Sequence, residues 1–368
     1  MESDFNFKEL ESFVKINSFT KNKSGVDKNG EMFQIEMEKL GFETEIFERE
    51  EIGNHLLFKS GGEGNRILLL GHLDTVFPEG KFEEYSEDSG WIYGAGVCDM
   101  KGGNFVALNS LRNLKREFGK VENIDFLLVS DEETGSDDSK ILTKEISKNY
   151  KYAFVFEASG ENREVVLGRK GVGTFFLEIT GKPAHAGNNY SKGVDANLEL
   201  AHKTLALSKL MNLEEGTTLN IGKIEGGIGA NTVSPFSKMV FEIRYKKISE
   251  RDRVLKGIDE VVKNSFVPNI ISKLSGGIQR DVMEDTAEKR ELLKRFEEIS
   301  GEKFTFESRG GVSDANITSS AGVLTIDGFG PFGDGDHTNR ERALKSSFVE
   351  RTELVSKLLS YFQKHNKF

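Results

Sequence analysis

Three short apolar runs in this chain break off on acidic or imidazole side chains, and that pattern constrains the fold more than any other feature. RILLL (66–70) passes into GHLDTVFP, IDFLLV (124–129) into SDEE, and YAFVF (152–156) into Glu157. Runs of this length, rich in Leu, Ile, Val and Phe, suit strands buried on both faces of a sheet. A helical pattern over 103–118 separates the first two runs. Strands alternating with helices imply a layered α/β domain with a mostly parallel or mixed sheet flanked by helices.

Further elements follow from periodicity. Phe7, Leu10, Phe13 and Val14 sit at helical intervals and predict a first helix over 6–22. A second is expected over 32–42, stopped by Gly41, and strands over 43–48 and 55–60. From about residue 169 the order becomes strand (172–181), helix (194–213), two strands (218–227 and 238–247) and helix (250–266). This smaller α+β unit reads as an insertion. The expected division is an α/β domain over 1–168, the inserted unit over 169–283, and a second α/β segment over 284–368. The α/β texture then resumes with helices over 287–300 and 341–365 around a strand near 322–331.

Composition narrows the function. Charged residues make up 30% and hydrophobic ones 37%, which suits a soluble globular chain. Net charge is -10 and no Lys/Arg arm is present, so nucleic acid is not an expected partner. No apolar run approaches a membrane span, and MESDFNFKELESFVKI has no basic region followed by an apolar block, so neither a membrane nor a secretory signal is expected. The single cysteine, Cys98, excludes an internal disulfide and a thiolate-rich metal site, and fits a cytoplasmic location. Any metal must be held by His, Asp and Glu, which suits Zn, Mn or Co.

Open α/β sheets place their chemistry beyond the carboxyl ends of the strands. This chain puts His72 and Asp74 there, Glu132 and Glu133, and Glu157. Asp99 lies in GAGVCDMKGG (94–103), a glycine-rich turn before a helix, and His337 in GDGDHTNRE (333–341). Each has a plain local explanation. His72 and Asp74 read as a hydrogen-bonded pair, Glu132 and Glu133 as solvated surface, and Asp99 as a cap or turn residue. Together these carboxylates would repel strongly unless cations neutralise them. Two divalent metals answer this, with one carboxylate bridging and one left as general base. Residues two apart on a strand face the same way, so Asp74 can support His72.

The motifs GHLDTVFP, GAGVCDMKGG, DEETGS (131–136), GKPAHAG (181–187) and GDGDHTNRE resemble, in order and over most of the chain, the dinuclear zinc exopeptidase and aminoacylase (M20-type) superfamily. Within it, the glutamate carboxypeptidase (carboxypeptidase G-like) branch is most similar. The resemblance implies His72 and Glu157 as ligands of one metal, with Asp74 orienting His72. Asp99 would bridge the two metals, beside a cis peptide, and Glu133 and His337 would hold the second. Glu132 would be the general base. His185 would meet the oxyanion across a dimer of lid domains. Asn231, in GGIGANTVSP (226–235), and Arg244, in FEIRY (241–245), would bind a substrate carboxylate, and RGGVSDAN (309–316) would border the pocket.

The implied activity is metal-dependent hydrolysis of an amide bond, releasing a C-terminal amino acid such as glutamate from a small peptide or N-acyl amino acid. Zn is the expected metal, two ions per subunit, with Co or Mn possible, and a homodimer is the expected assembly. The alternatives are deacylation of the acetylornithine or succinyl-diaminopimelate type, a di- or tripeptidase, and a catalytically silent metal-binding module. A full ligand set together with Glu132 argues against the last, because binding alone needs no general base.

Overall fold

The computed structural model describes residues 5–368. The backbone forms two compact units. One runs up to Leu167 and resumes over Asp285–Arg309 and Ser313–Phe368; the other comprises Gly168–Glu284 with Gly310–Val312.

The first unit is built on a six-stranded sheet in the order Glu43–Phe47, His55–Lys59, Ile124–Val129, Ile67–His72, Tyr152–Val155, Leu324–Ile326. The last four strands run parallel, and the first two are antiparallel additions at one edge. The apolar runs are its central strands, with Ile67–His72, Ile124–Val129 and Tyr152–Val155 buried along their whole lengths. That is why they read as continuous apolar segments. Phe105, Phe126, Phe154, Phe296 and Phe329 fill the core, and Phe154 stacks on Phe329 with centroids 4.5 Å apart. Each such burial stabilises the fold by about 1.5–3 kcal/mol. Register aligns the strand ends: His72 pairs with Val129 and Leu70 with Val155. The residues that follow therefore leave the sheet at one edge.

Several helix limits differ from the sequence expectation. The first helix covers only Phe7–Val14. The carbonyls of Val14 and Ile16 accept from buried Lys101, while Asn17 and Asn22 turn their side chains onto local backbone, and Asn22 caps the next helix. That second helix is longer than expected, Lys23–Leu40. Gly25 and Gly30 obscure its start in the sequence, yet both are required by close packing. A Cβ at Gly25 would lie 1.9 Å from the Asn17 carbonyl oxygen, and one at Gly30 2.9 Å from Leu56. The last helix begins at Lys345, because Arg342–Leu344 is a strand paired with Trp91–Tyr93 in a small antiparallel sheet with Gly333–Asp334 and Ser86–Glu87.

The second unit is a four-stranded antiparallel sheet, ordered Thr218–Gly226, Phe236–Tyr245, Gly171–Thr180, Ile271–Arg280, with helices Ala196–Ser208 and Ile248–Lys263. The strand Ile271–Arg280 is absent from the sequence expectation. It is an edge strand, mostly uncovered, and Gly276 and Gly277 interrupt its alternation. Leu177, Ile179, Phe241, Ile243 and Tyr245 form the core of this unit. Lys203 is fully buried there. Its ammonium donates to the carbonyls of Val261, Val262 and Asn264 and lies 3.1 Å from Glu199, which accepts from the backbone N–H groups of Phe266 and Val267. The pair ties the two helices together. No described helix is long and apolar enough to cross a membrane.

Candidate metal centre

Separate segments of the chain deliver the polar groups at the sheet edge of the first unit. His72 ends the central strand and is buried. Glu132 and Glu133 open a single 3-10 turn, Glu132–Thr134, just past Ile124–Val129. Glu157 follows Tyr152–Val155. Asp99 precedes the helix Lys101–Phe118, and its peptide bond to Met100 is cis. His337 comes from the turn after Gly333–Asp334, with its backbone in the left-handed region at φ 60°.

These groups form two clusters that share Asp99. His72, Asp99 and Glu157 each offer one ligand atom within 4.8 Å of the others, and so do Asp99, Glu133 and His337. Nε2 of His72 is 3.1 Å from Oδ1 of Asp99 and 4.0 Å from Glu157. Nε2 of His337 is 3.2 Å from Oδ2 of Asp99 and 3.1 Å from Glu133.

Asp74 sits behind both clusters, fully buried. Nδ1 of His72 lies 2.9 Å from its backbone carbonyl oxygen and 3.4 Å from its carboxylate. The shorter contact marks the carbonyl as the acceptor that fixes the ring. The carboxylate, besides facing His72, accepts the backbone N–H groups of Glu132 and Glu133, each at 3.2 Å, and the Thr20 hydroxyl at 2.7 Å. Asp74 therefore joins the strand end carrying His72 to the turn carrying both glutamates. Asn104 donates to the His72 carbonyl at 2.6 Å. Thr20 and Asn104 carry no signal in the sequence, because a lone polar residue in a helix or loop looks like surface.

The electrostatics show what the clusters would accept. Burial opposes the ionisation of Asp99, but hydrogen bonds from His337 and His72 outweigh it and hold the carboxyl far below the usual range. Burial would depress His72, yet Asp74 and Asp99 raise it well above an ordinary imidazole. Hydrogen bonds to Asp99 and Glu133 raise His337 to about 11. Burial pushes Glu133 up to about 7 against the pull of His337, with the charges of Asp99 and Glu132 adding to the rise. Burial and then the charge of Asp99 push Glu157 well above its ordinary value, and Glu132 adds to this too. Two bare carboxylates about 4 Å apart repel by roughly 4 kcal/mol at an effective dielectric constant near 20. The upward shifts of His72, His337 and Glu157 all oppose that repulsion, at the positions a pair of cations would neutralise.

The residues thus fit a pair of divalent ions. Each cluster offers one imidazole and carboxylates, with Asp99 presenting one oxygen to each. The donors are all nitrogen and oxygen, and Cys98, though adjacent, is buried and its thiol is raised by burial. Glu132 is not needed to complete either cluster.

Three other expected residues lie in the second unit. His185 and Asn231 occupy facing loops: the Ala186 N–H donates to the Asn231 carbonyl at 2.9 Å, and His185 bridges to Thr232. Nδ1 of His185 accepts the N–H groups of Gly187 and Asn188 at 3.2 Å, which leaves the proton of the neutral ring on Nε2. Arg244 is held differently from a free clamp. Its guanidinium bonds to Glu242 through Nε at 2.7 Å and Nη2 at 3.3 Å, and to the Gly310 carbonyl through Nη1 at 2.9 Å.

Comparison with known proteins agrees with this chemistry. Residues 68–361 match the family described as Peptidase family M20/M25/M40. Carboxypeptidase G2 from Pseudomonas sp. (strain RS-16) is 26% identical over 358 residues, covering 94% of this chain and 86% of that protein. A succinyl-diaminopimelate desuccinylase from Wolinella succinogenes is 30% identical over 346 residues, covering 85% of this chain and 90% of that protein. The fold is shared with aminopeptidase PepT from Bacillus cereus, with a TM-score of 0.77 at 23% identity over 96% of this chain and 97% of that one. The family match begins at the central strand that ends in His72 and reaches into the last helix. On that extent, the chain belongs to peptidase family M20/M25/M40, a family of metal-dependent peptidases and amidohydrolases.

Proposed function

We propose that this chain is a zinc-dependent carboxypeptidase or N-acyl-amino-acid amidohydrolase that releases a C-terminal amino acid, glutamate being the first to test. The observation that carries the reading is the pair of clusters sharing Asp99, with Glu132 left over beside them. His72, Asp99 and Glu157 would hold one ion, and Asp99, Glu133 and His337 the other; Co or Mn could replace Zn in the same donor set. When bound, the ions supply Lewis acidity toward a carbonyl and a water. Glu132 takes a proton from the attacking water and returns it to the leaving amine. Its turn is anchored to Asp74, so its reach is set by the strand that carries His72.

The second unit serves as a lid and dimerisation domain in this reading. With its proton on Nε2, His185 is a donor suited to a developing oxyanion. Asn231 and Arg244 bind the substrate carboxylate, and Arg244 must then exchange Glu242 for substrate. The likeness to carboxypeptidase G2 supports an acyl-glutamate. The desuccinylase, at higher identity, supports a second reading, removal of a succinyl or acetyl group from a diamino acid.

A release assay separates these readings. Purified protein loaded with Zn is offered acyl-glutamates, other N-acyl amino acids, N-succinyl-diaminopimelate and dipeptides, with and without a chelator. Release of glutamate, lost on chelation, is the expected result. Turnover that survives complete metal removal would sink the reading, and preference for the succinylated diamino acid would favour the second one.

A further inference from the structure

The GDGDHTNRE motif ends in a residue that the reaction itself does not use. Glu341 lies four positions after His337 and is 1% exposed. Its carboxylate reaches back across the chain to the turn that carries Asp99. Oε1 accepts the backbone N–H groups of Cys98 at 2.9 Å and Asp99 at 3.0 Å, and Oε2 accepts that of Gly96 at 3.1 Å. Three convergent N–H groups on one buried carboxylate make a tight local cage.

The surrounding backbone shows what the cage holds. The Glu341 N–H donates to the Thr338 carbonyl and the Thr338 N–H to that of Gly335, so the turn bearing His337 is closed on itself. Directly after Glu341, Arg342 pairs with Tyr93 and Ala343 with Ile92. A Cβ on Gly333 would lie 2.6 Å from the sulfur of Cys98, so the two segments touch before the turn as well. The segments 91–99 and 333–344 therefore run together, one ending in Asp99 and the other presenting His337. Beside the Asp336–Cys98 and His337–Asp99 side-chain contacts, Glu341 locks one segment to the other through the backbone that carries the shared carboxylate.

We propose that Glu341 is a positioning residue for the metal centre, fixing Asp99 relative to His337 by holding the Gly96–Asp99 backbone from the turn that carries the histidine. The inference rests on the two-ion reading above and adds a residue that touches neither ion nor substrate. Partners that orient ligands from behind are worth about 10–100-fold in metal affinity. Glu341 acts on the backbone of the one ligand common to both clusters, so it affects both ions.

The test compares wild type with Glu341→Gln and Glu341→Ala by competition for Zn against a chelating indicator, alongside thermal unfolding of each metal-free protein. Gln retains one carbonyl oxygen for Cys98 and Asp99 but turns an amide toward the Gly96 N–H, so it should bind Zn more weakly than wild type and more tightly than Ala. Expected is a loss of about 10–100-fold for Ala and a smaller loss for Gln, with the metal-free Gln variant still folded and unfolding at a temperature lowered less than that of Ala. If Gln binds two ions with wild-type affinity, the positioning role is overturned, whether Ala is also normal or simply fails to fold. If wild type itself binds fewer than two ions, it is the two-ion reading that fails, and the variants need not be consulted.

Discussion

Oδ2 of Asp99 lies 3.2 Å from Nε2 of His337, and the other oxygen of the same carboxylate faces His72. One side chain therefore belongs to two clusters while each histidine belongs to one. Asp99→Ala is expected to lose both ions together, whereas His337→Ala should lose one and keep the ion held by His72 and Glu157. Elemental analysis after gel filtration measures this directly. Equal stoichiometry in the two variants would contradict a shared carboxylate.

Glu132 stands beside both clusters and its charge acts on Glu133 and Glu157 alike. Glu132→Gln removes the base without removing a ligand. Turnover is expected to fall by about 100- to 10,000-fold at unchanged metal content. Ordinary turnover in the fully loaded variant would exclude Glu132 as the base.

Metal loading has to displace protons. With His337 raised to about 11 and Glu133 to about 7, the metal-free centre carries at least the imidazole proton at pH 8. Adding Zn to weakly buffered protein should release protons, and affinity should rise with pH. A pH indicator in the titration reads the release, and its absence would contradict the protonated cluster. The same shift has a stability consequence. The folded value of His337 lies above 6.5, so its ion pairs stabilise the metal-free fold fully below about pH 6.5 and fade as pH climbs toward 11. The gap in thermal midpoint between the metal-free wild type and His337→Gln should therefore narrow with rising pH. Because that side chain is largely exposed, the gap should be small.

In the second unit, Lys203→Ala strands Glu199 and three helix-end carbonyls in the core. Removing one partner of a buried pair costs about 3–5 kcal/mol. Urea unfolding followed on this unit should show that loss, and Lys203→Met combined with Glu199→Gln should recover part of it. A loss under about 1 kcal/mol for Ala, set against that range, would mean water reaches the site.

The central strands are legible in the sequence because burial on both faces leaves an uninterrupted apolar run. His72, Glu132, Glu133 and Glu157 stand out because they follow such runs, whereas Asp99 and His337 lie in glycine-rich turns, and the expected role of each rests on the resemblance of the surrounding motifs. The helix Lys23–Leu40 is half hidden, since Gly25 and Gly30 weaken helical propensity while allowing the close approach of Asn17 and Leu56. The strand Ile271–Arg280 is hidden because an edge strand need not alternate strictly when much of it faces water.

By itself, the sequence determined which residue types stand at each strand end, since local burial and turn chemistry write themselves into short windows. Only the tertiary structure decided how those ends meet. Parallel register sets His72 level with Val129, Asp74 spans from one strand to the glutamate turn, and Glu341 clasps a loop more than two hundred residues away in sequence. Contacts of that separation depend on how distant segments pack, and a side chain that bonds only to remote backbone leaves no periodic trace in its own neighbourhood.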